Sequence, residues 1–133
     1  MEYLFVYGTL MRAFTENPFR LLLEKKTQFV GEAFTYGKLF LVDYYPGLIY
    51  NTPSEINKVY GEILSFESRS NFLTHLDQYE DYYPKNSTNS LYTRDLKECF
   101  LLENNESFNC HTYIYNKNVD NLKFLTNGRF NLR

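Results

Sequence analysis

The sequence lacks tryptophan, has alanine only at Ala13 and Ala33, and contains just two cysteines among its 133 residues. Two cysteines are too few for a disulfide scaffold, and Cys99 and Cys110 do not have the CxxC spacing of a redox pair or a zinc site. The longest apolar runs, residues 21–23 and 40–42, fall far short of the roughly 20 residues that a membrane helix needs. We therefore expect reduced thiols and no transmembrane span.

An excess of positive charge is also missing. The chain carries 14 lysines and arginines against 16 aspartates and glutamates, which gives a formal net charge of -2. This balance provides no electrostatic footprint for nucleic acid or an anionic membrane, so we expect neither as a partner. Glu2 stands where a signal peptide carries basic residues, which favours a cytoplasmic protein. The length fits one domain over residues 1–133, and the oligomeric state stays open.

Aromatic residues are abundant: the chain has 13 tyrosines and 12 phenylalanines, which favour strands over helices. The hydrophobic pattern predicts strands over 3–7, over 59–66 with one buried face, and over 91–102 and 107–115. Two or three further strands are predicted between 28 and 50, and a loop with one short element after 116. Asn17 and Pro18 predict the start of a helix that ends near Lys25, and Ser70 predicts the cap of a helix that ends near Gln78.

The last two long strands are predicted to form a hairpin centred on Asn104 and Asn105, provided that both residues adopt a positive φ. In that register Cys99 lies directly opposite Cys110. We expect the two thiols to pack as small apolar side chains.

The segment VYGTL at 6–10 is a first candidate for chemistry. A strand ends there at Gly8, whose lack of a side chain leaves backbone N–H groups open to a carboxylate or an oxyanion. It is neither a P-loop nor a dinucleotide-binding loop, because no GK[ST] and no GxGxxG is present. Taken by itself, the segment favours an ordinary turn after a strand.

The acidic segment LDQYED at 76–81 is a second candidate. Glu80 follows Leu76 by four residues and so falls on the apolar face of the predicted helix, where a carboxylate among aromatic rings can act as acid or base. The alternative is that Asp77, Glu80 and Asp81 only solvate the helix end, although negative charge there opposes the helix dipole. Residues 81–90 are rich in turn-forming types and are a candidate lid.

Metal-dependent and nucleophilic chemistry has no support in the sequence. His75 and His111 lack the HxxxH or HExxH spacing of metal ligands. No GxSxG segment is present, and neither cysteine has a catalytic local signature.

Six segments occur in a specific order and spacing: FVYGTL (5–10), GKL (37–39), YPG (45–47), VYGEI (59–63), LDQYE (76–80) and LYTR (91–94). Together they resemble the gamma-glutamylcyclotransferase-like family, including its gamma-glutamylamine cyclotransferase and AIG2-like branch. The resemblance extends from Phe5 to about Gly128. YGTL alone is unspecific, but YGTL followed by GE, LDxxE and YxR is a specific combination.

The resemblance implies an α+β fold, a small mixed β-barrel with a few flanking helices. It also implies an enzyme that converts a γ-glutamyl amine or γ-glutamyl amino acid into 5-oxoproline and a free amine, without metal or cofactor. By motif position Glu80 is the acid/base in a pocket beside the YGTL loop. The implied substrate-binding residues are four of that loop and two further tyrosines: Tyr7, Gly8, Thr9, Leu10, Tyr92 and Tyr115.

The sequence departs from the family pattern in two places. Asp81 stands where relatives commonly have glycine, and residues 11–13 replace a basic, glycine-containing stretch. Asp81 either raises the proton affinity of Glu80 as a like charge or faces water. The resemblance leaves open whether Arg94 of the YxR motif has a structural or a functional role.

Two other functions remain open at this stage. One is a catalytically silent binding module on the same fold, because a fold does not fix a function. The other is an enzyme that removes a γ-glutamyl protecting group from a biosynthetic intermediate by the same chemistry. The presence of Glu80 favours an enzyme over a binding module, and nothing in the sequence selects the leaving amine.

Overall fold

The computed structural model describes residues 1–14, 16–50 and 56–130. Within these ranges the helices are α1 (Arg20–Lys26), α2 (Phe72–Tyr79) and a 3₁₀ helix (Pro84–Asn89). The strands are β1 (Glu2–Val6), β2 (Thr27–Tyr36), β3 (Lys38–Leu41), β4 (Pro46–Ile49), β5 (Lys58–Phe66), β6 (Tyr92–Leu101), β7 (Ser107–Tyr115) and β8 (Lys123–Phe124). None of these helices is long and apolar enough to cross a lipid bilayer.

Five of the strands close into a barrel in the order β1-β5-β2-β6-β7. Neighbours pair antiparallel except at the closure, where β1 runs parallel to β7 and Leu4 pairs with His111. The long strand β2 contains a bulge between Phe29 and Gly31, and such bulges bend strands as a small barrel requires. A second sheet has the order β4-β3-β8. The predicted α+β fold with a small barrel and flanking helices is confirmed.

Strands β1 and β5 are buried on both faces. Phe5 and Ile63 belong to one core cluster, which includes residues from all five barrel strands. Leu4 and Leu64, on the opposite faces, pack in a second cluster with Leu23 of α1 and with α2. The prediction that β5 has only one buried face is therefore wrong, because the helices cover the face that would otherwise be exposed to solvent.

Both helices begin without the predicted side-chain caps. Asn17 accepts a hydrogen bond from Phe19 N–H at 2.7 Å, but it stabilises a turn that precedes α1, whose first residue is Arg20. The Ser70 hydroxyl donates to the Glu67 carbonyl at 2.9 Å instead of accepting from the first turn of α2. Such local side-chain bonds compete with capping, and sequence alone does not say which wins.

The β6–β7 hairpin is displaced from the predicted register. Cys99 pairs with Phe108 and Cys110 pairs with Lys97, so the two cysteines are diagonal neighbours and do not lie directly opposite each other. Of the two asparagines only Asn105 has a positive φ, of 60°, and its N–H donates to the Leu101 carbonyl at 2.9 Å. One left-handed residue produces a loop centred one position earlier than the two-residue turn that was predicted. Both cysteines are free and fully buried.

Candidate active site

A cavity of about 230 Å³ opens at one end of the barrel. Its walls come from the loop after β1 (residues 7–10), the segment that enters β4 (44–46), the end of α2 (79–80) and the strands β6 and β7. Among the residues expected at a site, six line it: Tyr7, Gly8, Thr9, Leu10, Glu80 and Tyr92. Segments far apart in sequence therefore meet here.

Gly8 lies where a side chain has no room. A Cβ atom at this position would come within 2.9 Å of the Pro46 ring on the opposite wall. Among the described residues, the N–H groups of Gly8, Thr9 and Leu10 donate no hydrogen bond to the protein. All three residues line the cavity, and backbone N–H groups without a protein partner are suited to bind an anionic group of a ligand.

The loop is held by side chains on either side of it. The Asn17 amide donates to the Thr9 carbonyl at 2.7 Å, so this residue fixes the loop as well as the turn before α1. Glu62 of β5 accepts the Arg12 backbone N–H at 3.0 Å and pairs with the Arg12 guanidinium at 3.4 Å. A Cβ on Gly61 would lie 2.1 Å from the Val6 carbonyl oxygen, so only glycine allows β5 to approach β1 here.

Glu80 follows the last residue of α2, and its N–H donates to the Leu76 carbonyl at 2.9 Å. The side chain is enclosed by protein but stays partly accessible because it faces the cavity. Burial, followed by the nearby negative charge of Asp77, raises the pKa of Glu80 from 4.5 to about 8. No described residue donates a hydrogen bond to this carboxylate. A carboxyl group that titrates near neutral pH can both accept and return a proton.

Asp77 raises the pKa of Glu80, whereas Asp81 does not contribute to it. Asp81 adopts a φ of 56°, in the left-handed region that favours glycine. Glycine adopts this conformation without strain, and aspartate is one of the few other residues that tolerate it. The candidate lid, residues 81–90, supplies none of the described cavity-lining residues.

Arg94 forms a charge pair with α2. Its guanidinium donates to both oxygens of Asp77, at 2.8 Å and 3.0 Å. Tyr113 of β7 donates to the same carboxylate at 2.7 Å. The sequence left the role of Arg94 open and favoured a core or rim position for Tyr113, whose buried phenol could still offer a hydrogen bond. It did not indicate that both residues bind Asp77, because these partners come from different strands.

The hydroxyl groups of two cavity tyrosines are used by the protein itself. Tyr7 donates to the Tyr113 carbonyl at 2.6 Å and accepts from the Leu48 N–H at 3.2 Å. Tyr92 donates to the Pro46 carbonyl at 2.5 Å. Burial raises the pKa of both phenols, so they are neutral walls of the cavity. Tyr115 is not among the described lining residues, and its ring forms a T-shaped contact with that of Tyr92, at 5.6 Å between centroids.

The segment Tyr44–Pro46 is a wall that sequence reasoning did not assign to the site, although YPG was one of the motifs. Tyr44 is 72% exposed and so marks the mouth of the cavity. Within the described ranges, no group of three or more His, Cys, Asp or Glu side chains is arranged to hold a metal ion.

Comparison with known proteins identifies the family. A model of the family described as gamma-glutamyl cyclotransferase, AIG2-like, matches residues 4–132. The chain belongs to this family. An AIG2-like protein from Mus musculus has a TM-score of 0.75 at 24% identity, over 98% of this chain and 88% of that one. Protein ytfP from Escherichia coli has a TM-score of 0.64 at 23% identity, over 96% and 95% of the two chains.

A third solved structure extends the same likeness to an archaeon. An uncharacterized protein from Pyrococcus horikoshii has a TM-score of 0.64 at 16% identity, over 98% of this chain and 90% of that one. Likenesses at these identities show the fold alone. The search of curated proteins found no match. The family motifs nevertheless have local explanations: YGTL forms the open loop, GE supports it, and LDxxE and YxR contain the Asp77–Arg94 pair and Glu80.

Proposed function

We propose that the protein is an amide-cleaving cyclotransferase that converts a γ-glutamyl amine or a γ-glutamyl amino acid into 5-oxoproline and a free amine. The observation that carries the proposal is the position of Glu80. Its carboxylate, with a pKa raised to about 8, lines the same small cavity as the free N–H groups of the YGTL loop.

The loop is proposed to bind the α-carboxylate of the substrate. Gly8, Thr9 and Leu10 supply donors that have no partner among the described residues, and no side chain at Gly8 blocks their approach. The rings of Tyr7 and Tyr92 are proposed to enclose the γ-glutamyl group, and Tyr115 to support Tyr92. A cavity of about 230 Å³ is below the roughly 300–1,000 Å³ of drug-sized pockets. It therefore suits the γ-glutamyl group, with the leaving amine directed toward the mouth.

The reaction needs one proton carrier. The neutral α-amine attacks the γ-carbonyl carbon, and Glu80 takes a proton from the attacking nitrogen. The carbon–nitrogen bond to the leaving group then breaks, and Glu80 gives the same proton to the departing amine. No water is consumed. Because nucleophile and electrophile belong to one molecule, holding the substrate folded can supply up to roughly 7–11 kcal/mol of the barrier.

The test is an assay of 5-oxoproline release from a panel of γ-glutamyl amides, with wild-type protein and Glu80→Gln. Glutamine keeps the shape of the side chain but cannot carry the proton, so turnover is expected to fall by roughly 10²–10⁴-fold. The matched control is Gln78→Glu, which changes charge on an exposed position of the same helix. Near wild-type turnover by Glu80→Gln excludes the mechanism, and binding of substrates without any turnover by the wild type favours a binding module.

A further inference from the structure

Asp77 is enclosed to a degree that is unusual for a charged helical residue, with only 7% of its surface exposed. Among the described residues, the donors to its side-chain carboxylate all come from the barrel. One carboxylate oxygen accepts from Arg94 Nε at 2.8 Å and from the Tyr113 hydroxyl at 2.7 Å, and the other accepts from Arg94 Nη2 at 3.0 Å. A forked, two-point contact of this kind fixes the direction of a carboxylate as well as its position.

These contacts attach the end of α2 to the wall of the cavity. Arg94 and Tyr113 are paired residues on the neighbouring strands β6 and β7. The Tyr113 carbonyl also accepts from the Tyr7 hydroxyl, which joins the start of the YGTL loop to the same point. Glu80 follows Asp77 within one helical turn, so the contacts that fix Asp77 also fix the backbone that carries the Glu80 side chain.

The described residues that line the cavity include no carboxylate besides Glu80. The other titratable groups that line the cavity are phenols. Burial raises the pKa of Tyr7, Tyr92 and Tyr113, so these three are neutral. The remaining three belong to the segment before β4 and to the end of α2: Tyr44, Tyr45 and Tyr79. The described lining residues include no lysine, arginine or histidine. Arg94 is directed away, since its third nitrogen contacts His111 Nδ1 at 3.1 Å.

We propose that Asp77 is a positioning residue for Glu80: its contacts with Arg94 and Tyr113 hold the end of α2, and with it Glu80, at the cavity, and they keep a negative charge within one helical turn of Glu80. This inference rests on the proposed acid/base role of Glu80. Its consequence is that Glu80 is able to hold a proton near neutral pH, in agreement with the contribution of Asp77 to the raised pKa of Glu80. Without that charge the carboxylate would be a weaker base and would accept the proton of the α-amine less readily.

The test measures the titration of Glu80 directly, without a substrate. Protein labelled with ¹³C at the glutamate side-chain carboxyl is titrated by NMR, and the Glu80 signal is identified by its loss in Glu80→Gln. In Asp77→Asn the midpoint is expected to move to lower pH, by about one pH unit, because a facing like charge has been removed. The acid limb of the pH profile of 5-oxoproline release is expected to move in the same direction.

Two further variants serve as controls for the titration of Glu80 in Asp77→Asn. Asp77→Asn leaves Arg94 without its counter-charge, and that cation by itself lowers the pKa of a nearby carboxyl group. The double variant Asp77→Asn/Arg94→Gln leaves no unpaired charge, and it is expected to fold and to move the midpoint in the same direction by a smaller amount. Glu2→Gln removes the 2.6 Å contact with His111 at the far side of the network and should leave the Glu80 midpoint unchanged.

An unchanged midpoint in a folded Asp77→Asn or double variant overturns the proposal, as does an equal displacement in Glu2→Gln. A merely structural Asp77 would lower stability and turnover without moving either the midpoint or the acid limb. Because the NMR titration needs no turnover, its result is separate from the question of whether Glu80 is the acid/base.

Discussion

The Glu80→Gln substitution is expected to stabilise the fold even though it should remove activity. The pKa of Glu80 is raised from 4.5 to about 8, first by burial and then by Asp77, so the folded state disfavours the charged carboxylate. The cost is absent below about pH 4.5, where the side chain is protonated in both states, and is fully present above about pH 8. At 1.36 kcal/mol for each pKa unit, the difference between 4.5 and about 8 corresponds to a loss of about 5 kcal/mol in the free energy of unfolding above about pH 8. Because the carboxylate reaches water through the cavity, we expect about 2–3 kcal/mol at neutral pH.

Glutamine resembles the protonated side chain at every pH and does not pay this cost. Urea unfolding of wild type and variant at about pH 4, 7 and 9 should give equal stabilities at the lowest pH and a growing advantage of the variant above it. Glu98→Gln, at an exposed position of β6, is the matched control and should change little at any pH. Equal stability of wild type and Glu80→Gln at about pH 9, or the same gain at about pH 4, would refute the assignment of a raised pKa to Glu80.

Three further substitutions test the loop and its support. Gly8→Val should abolish binding of 5-oxoproline in calorimetry while leaving the circular dichroism spectrum unchanged, because its side chain fills the space beside the loop N–H groups. Asn17→Ala removes the donor to the Thr9 carbonyl and should weaken the same binding about tenfold; unchanged affinity would show that the loop holds its shape alone. Gly61→Ala places a Cβ 2.1 Å from the Val6 carbonyl oxygen and should lower the free energy of unfolding by roughly 2–4 kcal/mol, so a loss well below this in urea unfolding contradicts the reasoning.

Strand positions were largely readable from the sequence because they depend on local pattern. The alternation of 59–66 predicted β5, and the run at 3–7 predicted β1. The burial of both faces of β5 was not readable, since it depends on helices that pack from elsewhere in the chain. The hairpin register failed for a similar reason: a single left-handed residue, Asn105, decides it, and either asparagine could have taken that role.

In the candidate site, too, the residues with a local sequence pattern were predicted, and those placed by contacts between distant segments were not. Glu80 was predicted to point inward from its spacing to Leu76, and it does line the cavity with the YGTL loop. The sequence left open whether Asp81 acts on Glu80 or faces water, and the charge that raises the pKa of Glu80 is that of Asp77. The places of Tyr113 and of residues 44–46 at the cavity were not predicted, although YPG is a motif, because both reach the cavity only through strand pairing and sheet packing.

The parallel contact that closes the barrel also has a consequence for how the protein folds. Leu4 pairs with Leu64 on one side and with His111 on the other, so the first strand is placed only after two distant parts of the chain are in position. Folds with such long sequence separations fold slowly, on a scale of about milliseconds to seconds. Tyr7 and Tyr113 form their hydrogen bond across this same closure, so the cavity is assembled in the step that joins β1 to β7. Partly folded chains should therefore contain the β6–β7 hairpin long before they can bind a ligand.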